Sequence, residues 1–82
     1  MIRVTVKFFA HARDLAGTET VVLDLPPETT TSHMMRLLVE RYPKLLELKD
    51  HLRLAVNYTY AAAPVDLHDN DEVAVIPPVS GG

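Results

Sequence analysis

The sequence has 82 residues, 48% of them hydrophobic, no cysteine and a formal net charge of −3. Such a chain holds one small globular domain rather than two, with a modest core. The missing thiol excludes a disulfide scaffold and cysteine catalysis. The acidic balance, with no basic run, excludes the phosphate-neutralising stripe of a general nucleic-acid binder.

The first segment, Met1-Ile2-Arg3-Val4-Thr5-Val6-Lys7, alternates apolar and polar residues. It lacks the apolar centre of a signal peptide, and no stretch is long enough to span a bilayer, so the cytosol is the expected compartment. The alternation predicts a strand. Ile2, Val4, Val6 and Phe8 share one face, and Phe9 falls with Arg3, Thr5 and Lys7 on the polar one. The stretch from His11 to Gly17 breaks the pattern, and Gly17 supplies a turn. A second strand is expected at about Thr20 to Leu25, completing an antiparallel hairpin, and Pro26-Pro27 stops it.

Thr29 to Thr31 offer hydroxyls for a helix N-cap. Met34, Met35, Leu38, Val39 and Tyr42 then recur at helical spacing as one apolar stripe. Pro43 ends this helix, because the residue before a proline is pushed out of the α region. Leu45 to Asp50 fits a short helical turn. A strand follows over Leu52 to Tyr58, with Leu52, Leu54, Val56 and Tyr58 facing one way. Thr59 to Pro64 reads as a connector, Val65 and Leu67 as a short apolar strand, and residues 68–71 as a polar turn. The last strand is Glu72 to Ile76, with Ala74 and Ile76 opposite Val73 and Val75. Pro77 and Pro78 end it.

Strand, strand, helix, strand, short strand, strand is an α+β order, with one helix packed across a mixed sheet. The first and last strands are the most apolar and are expected to lie centrally, side by side. That arrangement is the β-grasp, or ubiquitin-like, fold. The domain is expected over residues 1–76, with a flexible, extended tail over residues 77–82.

The tail, Pro77-Pro78-Val79-Ser80-Gly81-Gly82, reaches roughly 20 Å when extended, at about 3.3–3.6 Å per residue. The prolines favour an extended course. The two glycines let the backbone approach another protein closely. A C-terminal carboxylate of this kind can be activated as an acyl-adenylate and captured by a nucleophile. A sulfur nucleophile gives a thiocarboxylate, and a lysine amine gives an isopeptide bond. A Gly-Gly pair alone is better explained by a frayed terminus or vector-derived residues. A strand and a stiff Pro-Pro-Val-Ser spacer before it set this ending apart.

The ending Asp71-Glu72-Val73-Ala74-Val75-Ile76-Pro77-Pro78-Val79-Ser80-Gly81-Gly82 resembles that of the molybdopterin synthase small-subunit family. The start is similar too, in Val6-Lys7-Phe8-Phe9-Ala10 and Arg13-Asp14-Leu15-Ala16-Gly17, as is Ala55-Val56-Asn57. The resemblance implies a sulfur carrier working in molybdenum cofactor biosynthesis. A ubiquitin-activating-like adenylyltransferase would adenylate Gly82 with ATP, and Gly82 would become a thiocarboxylate. The tail would then enter the large subunit and give its sulfur to cyclic pyranopterin monophosphate. Two small and two large subunits would form a heterotetramer, with the catalytic side chains on the large one. No cofactor is expected on the small subunit itself. The resemblance also assigns Phe9, Tyr60 and Ile76 to an apolar surface that meets both partners. Independently, the strand pattern sets Phe9 and Ile76 on the non-core face, which fits an exposed partner patch or a second, minor core under a loop. The bland connector Ala61-Ala62-Ala63-Pro64-Val65 departs from the family.

Other candidates read as structural. His11, His33, His51 and His68 lack metal-ligand spacing. Asp66, Asp69, Asp71 and Glu72 lack the glycine of a calcium loop and read as a solvated acidic turn. Arg3, Lys7 and Arg13 read as scattered solvated cations. Ser32 and Ser80 have no histidine–acid partner in the pattern. Two rival functions remain: a ubiquitin-like modifier joined through Gly82 to lysines, and a β-grasp interaction module with an inert tail.

Overall fold

A computed structural model describes residues 1–48 and 50–78. Five strands form one sheet in the order β2-β1-β5-β3-β4. They are β1 (Ile2–Phe8), β2 (Thr20–Leu25), β3 (Arg53–Val56), β4 (Thr59–Tyr60) and β5 (Glu72–Ile76). β1 pairs antiparallel with β2 and parallel with β5, whose other neighbour β3 is antiparallel. The two most apolar strands therefore lie side by side near the centre, as their composition predicts. The helix α2 (Thr31–Arg41) packs across one face. This is the β-grasp architecture.

Alternation decides which face is covered. Val4, Val6 and Phe8 of β1 and Val73 and Val75 of β5 are buried, and they meet Met34 and Leu38 of α2. Burying each such side chain stabilises the fold by about 1.5–3 kcal/mol. Phe8 meets the edge of the Tyr42 ring, with centroids 5.6 Å apart. Thr30 caps α2, its hydroxyl accepting the His33 N–H at 3.2 Å. The helix stops at Arg41, before Pro43, and the chain continues as a 3₁₀ helix over Pro43–Leu48.

Three elements differ from the sequence reading. The broken segment after β1 is a helix, α1 (Ala10–Ala16), which buries Ala12. Two turns of helix are marginal alone, so packing decides its conformation. Gly17 is its C-cap in the left-handed region (φ 74°), with its N–H on the Arg13 carbonyl at 2.9 Å. The expected strand over Leu52 to Tyr58 is only β3, because the chain reverses at Asn57-Tyr58. Both residues have positive φ, 50° and 70°, the signature of a two-residue type I′ hairpin. The expected connector then begins as β4, pairing Val56 with Thr59 and Ala55 with Tyr60. Tyr58 therefore leaves the core side that its spacing suggested. Finally, Val65 and Leu67 flank a single bridge between Asp66 and Thr30 rather than forming a strand. Leu67 alone of the two is buried.

Candidate functional site

Among the described residues, no helix covers the face of the sheet away from α2. β-sheet register predicts its surface. Lys7 stands opposite Ala74, Ala74 opposite Ala55, and Ala55 opposite Tyr60. The two alanines make a low floor because their side chains are short. Phe9, Tyr58, Tyr60 and Ile76 rise around it, enclosing a hollow of about 420 Å³. Phe9 is 46% exposed, Tyr60 64% and Tyr58 89%. Phe8, one residue before Phe9, is 1% exposed.

The structure thus brings together Phe9, Tyr60 and Ile76, which the sequence reading singled out separately. Phe9 arrives differently from that reading: it has left the strand and is the N-cap of α1. Its backbone N–H still reaches the Val75 carbonyl at 3.2 Å, which holds it beside β5. The side of the hollow along β1 and β5 is polar. Lys7 Nζ lies 2.8 Å from Glu72 Oε1. The hydrogen bond to Glu72 and its charge raise the Lys7 pKa above the usual 10.5.

A second hollow of about 570 Å³ adjoins the first through Tyr60 and Ile76. Asp50, His51, Arg53, Pro77 and Pro78 also line it. The patch therefore ends where the chain leaves β5. The remaining predicted tail residues, Val79, Ser80, Gly81 and Gly82, lie outside the described residues. A third hollow, of about 530 Å³, lies between α2 and the alanine connector, whose Ala61, Ala62, Ala63 and Pro64 form one wall.

Residues to which the sequence reading gave no role at the site also support the patch. Asp71, read as part of a solvated turn, is buried. Its Oδ1 accepts the Asn57 side-chain amide at 2.9 Å and its Oδ2 the His68 N–H at 2.7 Å. The Asn57 side-chain oxygen accepts the Glu72 N–H at 3.0 Å, and the Asn57 N–H donates to the Glu72 carbonyl at 2.8 Å. Asp69 Oδ1 accepts the Arg3 N–H at 2.7 Å. Two carboxylates of the acidic turn, Asp69 and Asp71, thus serve as acceptors for backbone N–H groups. Among the described residues, no group of three or more His, Asp or Glu side chains is placed to hold a metal. No helix there is long and apolar enough to cross a membrane.

Comparison with known proteins adds identity to this geometry. The ThiS family model matches residues 6–82. The chain is also 40% identical to the molybdopterin synthase sulfur carrier subunit of Drosophila yakuba, across 100% of this chain and 93% of that protein. The chain belongs to the ThiS family, with the molybdopterin synthase sulfur-carrier subunits. Solved structures agree with this ThiS-family assignment. A molybdopterin converting factor subunit 1 from Pyrococcus furiosus superposes with a TM-score of 0.87 at 31% identity, covering 96% of this chain and 100% of that one. The small archaeal modifier protein 1 of Haloferax volcanii gives 0.85 at 29%, with the same coverage of both chains.

Proposed function

We propose that this ThiS-family chain is the sulfur-carrier small subunit of a molybdopterin synthase, loaded and discharged at the carboxyl group of Gly82. The observation that carries this reading is the near-complete match to sulfur carrier subunits at up to 40% identity. The apolar patch supports it, because a carrier must be gripped beside the root of its tail. Phe9, Tyr60 and Ile76 supply that grip, and residues 77–82 form the tail that reaches the partner's site.

The chemistry runs in balanced steps. An activating enzyme joins the Gly82 carboxylate to the adenylyl group of ATP, and pyrophosphate leaves. Hydrosulfide released by a sulfur donor attacks the acyl carbon and displaces AMP, leaving a thiocarboxylate. In the large subunit the thiocarboxylate sulfur displaces an oxygen substituent from a carbon of cyclic pyranopterin monophosphate. Water then hydrolyses the acyl–sulfur bond, which leaves the sulfur on the pterin and restores the Gly82 carboxylate. A dithiolene needs two sulfurs, hence two loaded carriers. This fits the heterotetramer of two small and two large subunits that family membership leads us to propose. The chain contributes no acid–base side chain to these steps. It binds, presents and releases. The cytosol, expected from the sequence, is part of this proposal.

The test is a pterin-sulfuration assay with the large subunit and a carrier lacking Gly82. Sulfuration is expected to vanish while the melting temperature of the carrier stays unchanged. Full activity of the truncated carrier would sink the reading. The likeness to a small archaeal modifier protein favours a second reading, conjugation of Gly82 to lysines. Denaturing gels of cell extract distinguish the two, since only a modifier gives a ladder of conjugates.

A further inference from the structure

Tyr58 breaks a rule that the rest of the hairpin obeys. A type I′ turn needs positive φ at both central residues, and Asn-Gly is its preferred pair. Asn57 fits the first position. At the second, where glycine is expected, stands a bulky aromatic with φ 70°. A Cβ in the left-handed region crowds the following carbonyl, so this residue is strained. The fold gains little in return. Tyr58 is 89% exposed. Strain held in this way is a pointer to function.

The surroundings hold that strain in place. Asn57 is tied to β5 by its N–H and its side-chain oxygen, and its amide is tied to buried Asp71. The turn is therefore locked, and Tyr58 lines the apolar hollow together with Phe9 and Ile76. Tyrosine on a rigid mount suits protein recognition, because it presents a large amphipathic area with little side-chain entropy left to lose.

We infer that Tyr58 is a partner-contact residue of the docking patch, and that Asn57 and Asp71 are positioning residues that hold it there. This rests on the reading of the patch as the surface gripped by the large subunit. The partner segment it fits is apolar at its centre, with a polar group facing the Tyr58 hydroxyl.

The experiment measures the dissociation constant for the purified large subunit and the melting temperature of each full-length variant. Tyr58→Gly is expected to weaken binding about tenfold while leaving the melting temperature unchanged or higher. Unchanged binding, or a lower melting temperature, overturns the role of Tyr58. Asn57→Gly is expected to weaken binding several-fold in the parent and to add nothing in the Tyr58→Gly background. Equal losses in both backgrounds, or none in either, overturn the positioning role. Asp71→Asn is read in the same way should Asn57→Gly not fold. Phe9→Asp is the control for the patch itself. If Phe9→Asp leaves binding intact, the docking reading has failed rather than this inference alone.

Discussion

The two faces of the sheet are built from neighbouring residues with opposite duties. Phe8 is buried beneath α2 against Tyr42, whereas Phe9 stands half-exposed on the far side. Val73 and Val75 fill the core, whereas Ala74 and Ile76 line the open hollow. The period of a strand makes this separation possible, because adjacent side chains point to opposite faces. The middle of one face is filled, with Val4, Val6, Phe8, Val73 and Val75 almost wholly out of water. The other is left low at its middle and aromatic at its rim. Stability and, on the proposed function, partner binding then belong to separate residues, and substitutions can separate them.

The sharpest way to break the comparison is to truncate Phe8 and Phe9 in turn. Phe8→Ala is expected to cost about 3–5 kcal/mol of folding stability, read by chemical denaturation. Phe9→Ala is expected to cost under about 1 kcal/mol and to act on large-subunit binding instead. Similar stability losses for the two would erase the distinction between the faces. Next in size is Asp71→Ala, which leaves the Asn57 amide and the His68 N–H without their acceptor. It is expected to cost about 1–3 kcal/mol, and a loss below that range would mean water replaces the carboxylate.

A smaller effect probes the edge of the core. Gly17 has φ 74° with no atom within 4 Å of where a Cβ would stand. Gly17→Ala should therefore cost about 1–2 kcal/mol through backbone conformation alone, without a repacked core. The smallest effect belongs to the ion pair on the open face. Lys7 has a raised pKa, first from its hydrogen bond to Glu72 and then from the charge of Glu72. A group whose pKa rises on folding stabilises the fold fully below its unfolded pKa. That contribution fades as pH climbs from about 10.5 through the raised folded value. Stability is thus expected to fall over this range in the parent and less steeply in Lys7→Met. Identical slopes would show that the pair contributes nothing.

Much of this division was legible in the chain. Alternation in β1 and β5 identified the covered face, the stripe from Met34 to Tyr42 identified the helix over it, and Phe9 and Ile76 fell on the free face. What escaped has physical causes. The α1 helix is too short, and its buried residue too small, for a hydrophobic period to stand out. The Asn57-Tyr58 reversal sits inside an apolar run, and its only signal is an asparagine suited to positive φ. Tyr58 in place of the usual glycine hid that signal. Nothing in the run of Asp69, Asn70 and Asp71 marks Asp71 as the buried one. Its role depends on Asn57, 14 residues earlier, coming within hydrogen-bond reach.

On the proposed function, the domain presents a carboxyl group that carries sulfur. Intact-mass analysis tests it directly, on the full chain after incubation with its activating enzyme, ATP and a sulfur donor. The account predicts that one oxygen of the Gly82 carboxyl is exchanged for sulfur, and that the exchange is lost when ATP is withheld. A Gly82 that remains a plain carboxylate under complete loading conditions would contradict it.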